Sequence, residues 1–369
     1  MTFIIGGVLQ SHDRLVGQVH PDPREDATIE GARGLAALMV LAAHYAHLFA
    51  AQSWLLRLAT TGVDLFFVLS GFVFAPYLLG KPLPLLPHLV RRFFRLYPLY
   101  LAALIAYVLL HDPPAQAWEH FPVHLLMLHT LSKETAFYYN PAFWSLPPEV
   151  EFYLLLPLLA TLGRKGKFAA VLGISLVVHM TLALFPGSAD FTSWRQIAGV
   201  HLPGLLPEFL LGGVAYAISQ RRLSVRLQYL LLFAGTSCLW LVARVFKAFV
   251  VDAEAGSVVP PWIGGNIGLL AALGYALVLA ALSKLLAQAR GPATPLLLVA
   301  GSLSYGIYLF HNLMPVLLRR IWPSLDGAWL ALAALAFTMG LATLAHYGLE
   351  RPLRNYGRQI SRSLQPARS

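Results

Sequence analysis

Charged side chains are what this chain has least of. Asp, Glu, Lys and Arg make up 12% of its 369 residues, about half the share found in a soluble domain. Hydrophobic residues reach 57%. That is more apolar surface than a water-soluble core of this size can hide, because much of a soluble exterior must stay polar. A large soluble catalytic domain is therefore excluded. Cysteine is nearly missing: Cys238 is the single thiol, which excludes an intramolecular disulfide and a cysteine-based zinc site. It lies in the apolar run 230–245 and reads as a small core residue. Acidic residues are the scarcer sign, 17 against 27 Lys and Arg, for a net charge of +10. No nucleic-acid partner is expected from that surplus, since basic residues gathered on one side of a membrane give the same balance. The opening MTFIIGGVLQ has no basic leader or cleavage signal and is not expected to be a signal peptide.

What the chain has instead is long apolar runs separated by short basic loops. At about 17–25 apolar residues per crossing, the sequence predicts ten spans. They are 33–52, 61–80, 96–111, 143–163, 168–185, 203–219, 228–246, 266–287, 296–318 and 327–349. The apolar segment 121–131 is too short to cross and is expected to be interfacial or re-entrant. With the N-terminus inside, only Arg57, Lys133, Arg195, Arg244, Lys247, Arg319 and Arg320 of the 27 Lys and Arg fall outside. The positive-inside asymmetry then puts both termini in the cytoplasm. The expected fold is all-α: a polytopic transmembrane bundle of about ten spans. A lead-in over 1–30, a membrane domain over 31–350 and a basic cytoplasmic tail over 351–369 complete the organisation. No internal repeat is evident.

Ionisable groups inside a bilayer are costly and mark function or a buried pair. On the first span Arg33 and His44 are eleven residues apart, which returns to nearly the same helix face and separates them by roughly 16 Å. Arg33 is then expected near the cytoplasmic surface and His44 beyond the midplane, with His47 one turn on. Asp64, Glu149, Glu151, Glu208 and His311 fall on other spans at a similar outer-half depth, with Ser70 deeper. Between the second and third spans, Lys81 and the run HLVRRFFRLYP place Arg91, Arg92 and Arg95 on the cytoplasmic side, where guanidinium groups suit a polyanion.

Joined, these layers predict a transfer reaction. A long thioester donor docks its phosphorylated head on the inner arginines, with Arg33, Arg92 and Arg95 as the donor-binding set. Its thin arm threads between helices to His44. His44 acts as general base on an acceptor hydroxyl, and a carboxylate, Asp64 or Glu149, orients the imidazole. Direct attack to form an acyl-histidine is a variant. Each residue also has a structural reading. His44 alone could bond helix to helix. Arg91, Arg92 and Arg95 could set topology, Asp64 could pair with an arginine, and Glu149 could complement its helix dipole. His47 is expected to pack rather than react, and no third ligand supports a metal at His44 and His47. The competing functions are a proton-coupled transporter built on the same His, Asp and Glu layer, and a non-catalytic scaffold.

Six segments, in order, resemble the membrane-bound acyltransferase-3 family. They are IEGARGLAALMVLAAHYAH, carrying Arg33 and His44; GVDLFFVLSGFVFA; RRFFRLYP, carrying Arg92 and Arg95; FWSLPPEVEFYLLLP; LSYGIYLFHN; and ERPLRN. The match covers 29 to 356. The resemblance implies an acyl-CoA donor, usually acetyl-CoA, a cytoplasmic arginine pair beside it, and a catalytic histidine at His44. It further implies an acceptor hydroxyl on a carbohydrate, such as a surface polysaccharide or lipid-linked sugar, and the expected setting is a bacterial cytoplasmic (inner) membrane. Two departures stand out. Pro147 and Pro148 precede Glu149, and Glu151 follows it, where relatives carry a small or polar residue, an aliphatic one and then a glutamine. No extracellular hydrolase-like domain of the kind some relatives carry is expected either.

Overall fold

A computed structural model describes residues 27–49, 53–111, 114–184, 193–248, 261–287 and 294–364. Residues 27–30 of the expected lead-in 1–30 already form the start of a helix, and its residues 1–26, with Arg14 and Arg24, lie outside the described residues. So do Arg290, Arg368 and parts of 186–202 and 247–265. The described residues are helical, with no strand among them.

The ten apolar runs fall on helices, 296–318 on two of them, and the main helices are numbered in chain order. They are α1 (Ala27–Tyr45), α2 (Gly62–Leu78), α3 (Leu85–Leu110), then α4 (Pro114–Leu125) over the interfacial segment, α5 (Leu146–Arg164), α6 (Phe168–Leu184), α7 (Leu202–Ser219), α8 (Val225–Lys247), α9 (Ile267–Ala287), α10 (Thr294–Phe310), α11 (Leu313–Ile321), α12 (Gly327–Ala345) and α13 (Arg351–Ser363). By length and composition, five helices among the described residues can cross a membrane, or six if α10 and α11 form one span. The apolar helices α6 and Ile267–Leu282 are shorter, and α1 and α5 carry charge within them. A multi-pass membrane protein follows.

The structure departs from the sequence reading at two places, the run 296–318 and the boundary at 350/351, and shows the shape of the segment 121–131 that is expected not to cross. The run 296–318 is not one rod: α10 and α11 meet at a 61° bend. Pro315 has no N–H to offer the carbonyl four residues back, and that carbonyl, on His311, instead accepts from Tyr45 Oη at 2.7 Å. The segment 121–131 turns back where Met127 takes φ +54°, and its helix-end carbonyls at His124 and Leu125 accept from Tyr100 and Tyr97. The boundary at 350/351 falls inside one helical run, Gly327–Ser363, whose middle turn His346–Glu350 is a π-helix. α13 is docked along α3, with Gly357 against Phe94 and Ser361 Oγ bonded to the Pro87 carbonyl at 3.1 Å.

α10 packs along α1, and α7 along α2. The second crossing is close because both helices use glycine there. A Cβ on Gly71 would lie 1.6 Å from the Phe209 carbonyl oxygen, and one on Gly212 would lie 2.0 Å from that of Val68. Backbone cannot yield as a side-chain tip can. Gly71→Ala is therefore expected to lower the melting temperature of the detergent-solubilised protein sharply, by at least about 2 kcal/mol of overpacking. Gly340→Ala, where a Cβ meets nothing within 4 Å, should leave it unchanged. Equal melting of the two variants would contradict the close crossing.

Candidate active site

The helices α1, α2, α3, α5 and α10 enclose a cavity of about 730 Å³, counted to its open mouth. Arg33 enters it from α1, and Arg92 and Arg95 from α3. From α2 come Ser70 and Phe74, from α5 Glu149 and Tyr153, and from α10 Ser304, Tyr305 and Tyr308. All three arginines expected to bind a donor thus face one space, together with Glu149.

Each arginine is held. Arg33 is ion-paired to Glu30, one turn earlier on α1. Arg95 is ion-paired to Glu350, whose side chain is 1% exposed and also accepts from His346 Nδ1 at 3.0 Å. A buried carboxylate is tolerated only when compensated in this way. The Arg92 guanidinium lies over the rings of Phe74 and Tyr153, 5.1 and 5.5 Å from their centroids, close enough for cation–π attraction. Glu149 Oε1 accepts from Tyr153 Oη and, at 3.4 Å, from Ser70 Oγ. Ser145 and Tyr308 hydroxyls lie 2.5 Å apart at the same end. Arg91, by contrast, turns its Nε to the Pro87 carbonyl at 3.1 Å and does not line the cavity.

His44 stands outside the lining residues. Its Nδ1–H donates to the Val40 carbonyl at 2.8 Å, which leaves Nε2 with its lone pair, the tautomer a base needs. Its ring meets that of His311 edge-on at 4.9 Å between centroids, and His311 in turn is 6.1 Å from Tyr308. The His311 ring therefore lies between His44 and Tyr308, which lines the cavity. His311 is fully buried, donates Nδ1–H to the Tyr308 carbonyl at 2.8 Å, and its Nε2 has no hydrogen-bond partner among the described residues. His47 is exposed and bonds the His44 carbonyl.

The structure does not bring together all the carboxylates expected at outer-half depth. Asp64 turns to the other side of α2, hydrogen-bonded to Glu208, and both carboxyls face Gly268 of α9. The bond that orients His44 comes from its own helix instead. Glu151 points away from the cavity to His201 Nδ1 and the Leu202 N–H. Among the described residues no cluster of three or more His, Cys, Asp or Glu could hold a metal ion.

The sequence reading missed Glu350. ERPLRN was visible, but no role was read for its glutamate. The spacing His346, Glu350, Arg354 at i and i+4 was the available signal, since such residues share a helix face. The tyrosines of the cavity were also missed, because aromatic residues in spans read equally well as packing or anchors.

A family model described as an acyltransferase domain matches residues 26–347. The chain is similar to the acyltransferase MdmB of Streptomyces mycarofaciens, 29% identical over 381 residues, covering 90% of this chain and 92% of that protein. It is also similar to the peptidoglycan O-acetyltransferase OatA of Listeria monocytogenes, 26% identical over 89% of this chain but only 56% of that protein. A putative acetyltransferase, ORF330 of Acidianus two-tailed virus, is 26% identical, over 82% of this chain and 86% of its own length. No solved structure matches.

Above the site, in the non-crossing segment, His124 and His129 stack with centroids 4.5 Å apart and planes 5° apart. Burial first, and each histidine's imidazole neighbour besides, pushes them down to about 3 and about 4. The folded state then holds fewer protons than the unfolded chain between those values and the ordinary 6.5. Stability must fall as pH drops through that window. The melting temperature is expected to decline from pH 6.5 to pH 4, with a flatter slope in the double variant His124→Phe/His129→Gln. An unchanged slope would show that this pair is not buried neutral.

Proposed function

The chain belongs to the acyltransferase-3 family, and from that premise we propose that this acyl-transferring enzyme moves an acetyl group from acetyl-CoA to a carbohydrate hydroxyl. The acceptor proposed is a glycan or lipid-linked sugar presented at the outer face of the bacterial inner membrane, with ten crossings and both termini inside. The observation that carries the reading is a cavity lined together by three guanidiniums and Glu149. Such an arrangement pairs oxyanion-binding forks with a protein-lined route into the bundle. O-acetyl transfer stands in the name of the Listeria relative and comes to this chain as part of the proposal.

In this reading the phosphorylated head of the donor rests on Arg92, Arg95 and Arg33, and the pantetheine arm runs along the cavity toward Tyr308. His44 Nε2 takes the proton of the acceptor hydroxyl. The hydroxyl oxygen attacks the thioester carbonyl carbon, the C–S bond breaks, and the CoA thiolate leaves, to be protonated in turn. His311 stands between His44 and Tyr308 at the cavity wall, so reaction requires a rotation of those rings. The hydroxyls of Tyr153, Ser145 and Tyr308 line the path and suit the oxyanion that develops on the carbonyl. Glu149, held by Tyr153 and Ser70, sets the polarity of the deep end. Asp64 acts away from the transfer step, through its bond to Glu208. The transporter alternative gains nothing from the relatives, which are named as acyltransferases.

Purified protein given radiolabelled acetyl-CoA and a glycan acceptor tests the reading. Label is expected to pass to the glycan, and His44→Ala should cut transfer by about a hundredfold or more, the scale of a lost general base, with CoA affinity retained. Transfer surviving His44→Ala would remove the base. In the same preparation Arg92→Ala and Arg95→Ala are each expected to weaken CoA binding by about tenfold, one charge-assisted contact apiece. Unchanged affinity in both would remove the donor assignment.

A further inference from the structure

The charge at the arginine end of the cavity does not balance. Glu30 is taken by Arg33. Glu350 is taken by Arg95 and bonded by His346. A further guanidinium, Arg354, stands one turn beyond Glu350 on α13 and reaches its Oε1 only at 4.0 Å. Arg354 lies within electrostatic range of Arg95, Glu350, Arg358 and Glu30. One carboxylate therefore answers two guanidiniums and an imidazole. The Arg354 side chain is 28% exposed, yet its Nε is buried and makes no hydrogen bond among the described residues. A buried donor without an acceptor is costly and rare in folded proteins. Its placement is not that of a loose tail either, because α13 is fixed on α3 through Gly357, Phe94 and Ser361.

Arg354 is not itself a lining residue, but excess positive charge, an unused N–H and partial exposure beside the partner of the lining Arg95 describe a place for an anion with several acceptor oxygens. A guanidinium fork takes phosphate in paired bonds. We propose that Arg354 is a phosphate ligand supplied by the C-terminal helix, binding the head of the CoA donor beside Arg95 while the arm enters the cavity. This rests on reading the cavity as the donor site and extends that site to a helix the sequence reading set apart as tail. A phospholipid headgroup carries the same oxygens, so the test separates the two sources.

Calorimetric titration of the full chain with CoA, in nanodiscs of zwitterionic phosphatidylcholine, decides the matter. Arg354→Met keeps the packing of the aliphatic stem and is expected to weaken CoA binding about tenfold, as one lost charge-assisted contact does. Arg354→Lys should recover part of the loss, since a single ammonium replaces a fork. If Arg92→Ala and Arg95→Ala weaken binding while Arg354→Met does not, the inference falls and the donor reading stands. If none of the three does, the donor reading falls with it. An Arg354→Met effect confined to binding of anionic phosphatidylglycerol would assign the residue to lipid and overturn the inference. Should Arg354→Met fail to fold, Arg354→Lys decides alone: a few-fold loss of affinity supports the contact, and unaltered affinity overturns it.

Discussion

A guanidinium brought into apolar helical packing has to find an anion or an aromatic face, and this requirement organises the molecule. Arg95 finds Glu350, Arg33 finds Glu30, and Arg92 lies over Phe74 and Tyr153. The first of these pairs joins α3 to the far end of the chain across 255 residues of sequence. The π-turn at His346–Glu350 brings His346 and Glu350 to one carboxylate-centred cluster, and helical irregularities of this kind recur at functional sites. The same pair thus closes the bundle and holds Arg95 where it lines the cavity.

The end at the α10–α11 bend obeys a different rule, the need to satisfy backbone carbonyls where helices break. At the α10–α11 bend, Tyr45 answers His311, while Tyr107 and Asn140 answer Leu309. These bonds hold His311 against His44 and anchor the break beside that ring. Polar side chains at this depth are therefore shared between architecture and chemistry. Asp64 and Glu208 face each other at the α2, α7 and α9 contact, while Glu149 faces the cavity.

The helical, multi-pass fold was legible because apolar runs of span length admit few other structures. The grouping of Arg33, Arg92 and Arg95 was legible too, since a basic loop and the face shared by Arg33 and His44 both point to one end. Depth along a helix can be counted from sequence, but the direction a side chain faces depends on which helices become neighbours. That is why Asp64 and Glu149, read alike, part company: α2 turns Ser70 to the cavity and Asp64 to α7 and α9. The partner of Arg95 was hidden for the same reason, because nothing local to RRFFRLYP announces a glutamate at 350. The break at His311 was signalled by Pro315 and overshadowed by the apolar run around it.

The central claim is that a thioester entering at the arginines reaches His44 past Tyr308 and His311. A cryo-electron microscopy structure of the protein with a non-hydrolysable acetyl-CoA analogue addresses it directly. The account predicts phosphate density on Arg92 and Arg95, the Tyr308 and His311 rings rotated aside, and the acyl carbon within hydrogen-bonding distance of an acceptor site at His44 Nε2. An arm that ends against Glu149, with His311 still seated between the cavity and His44, would contradict it.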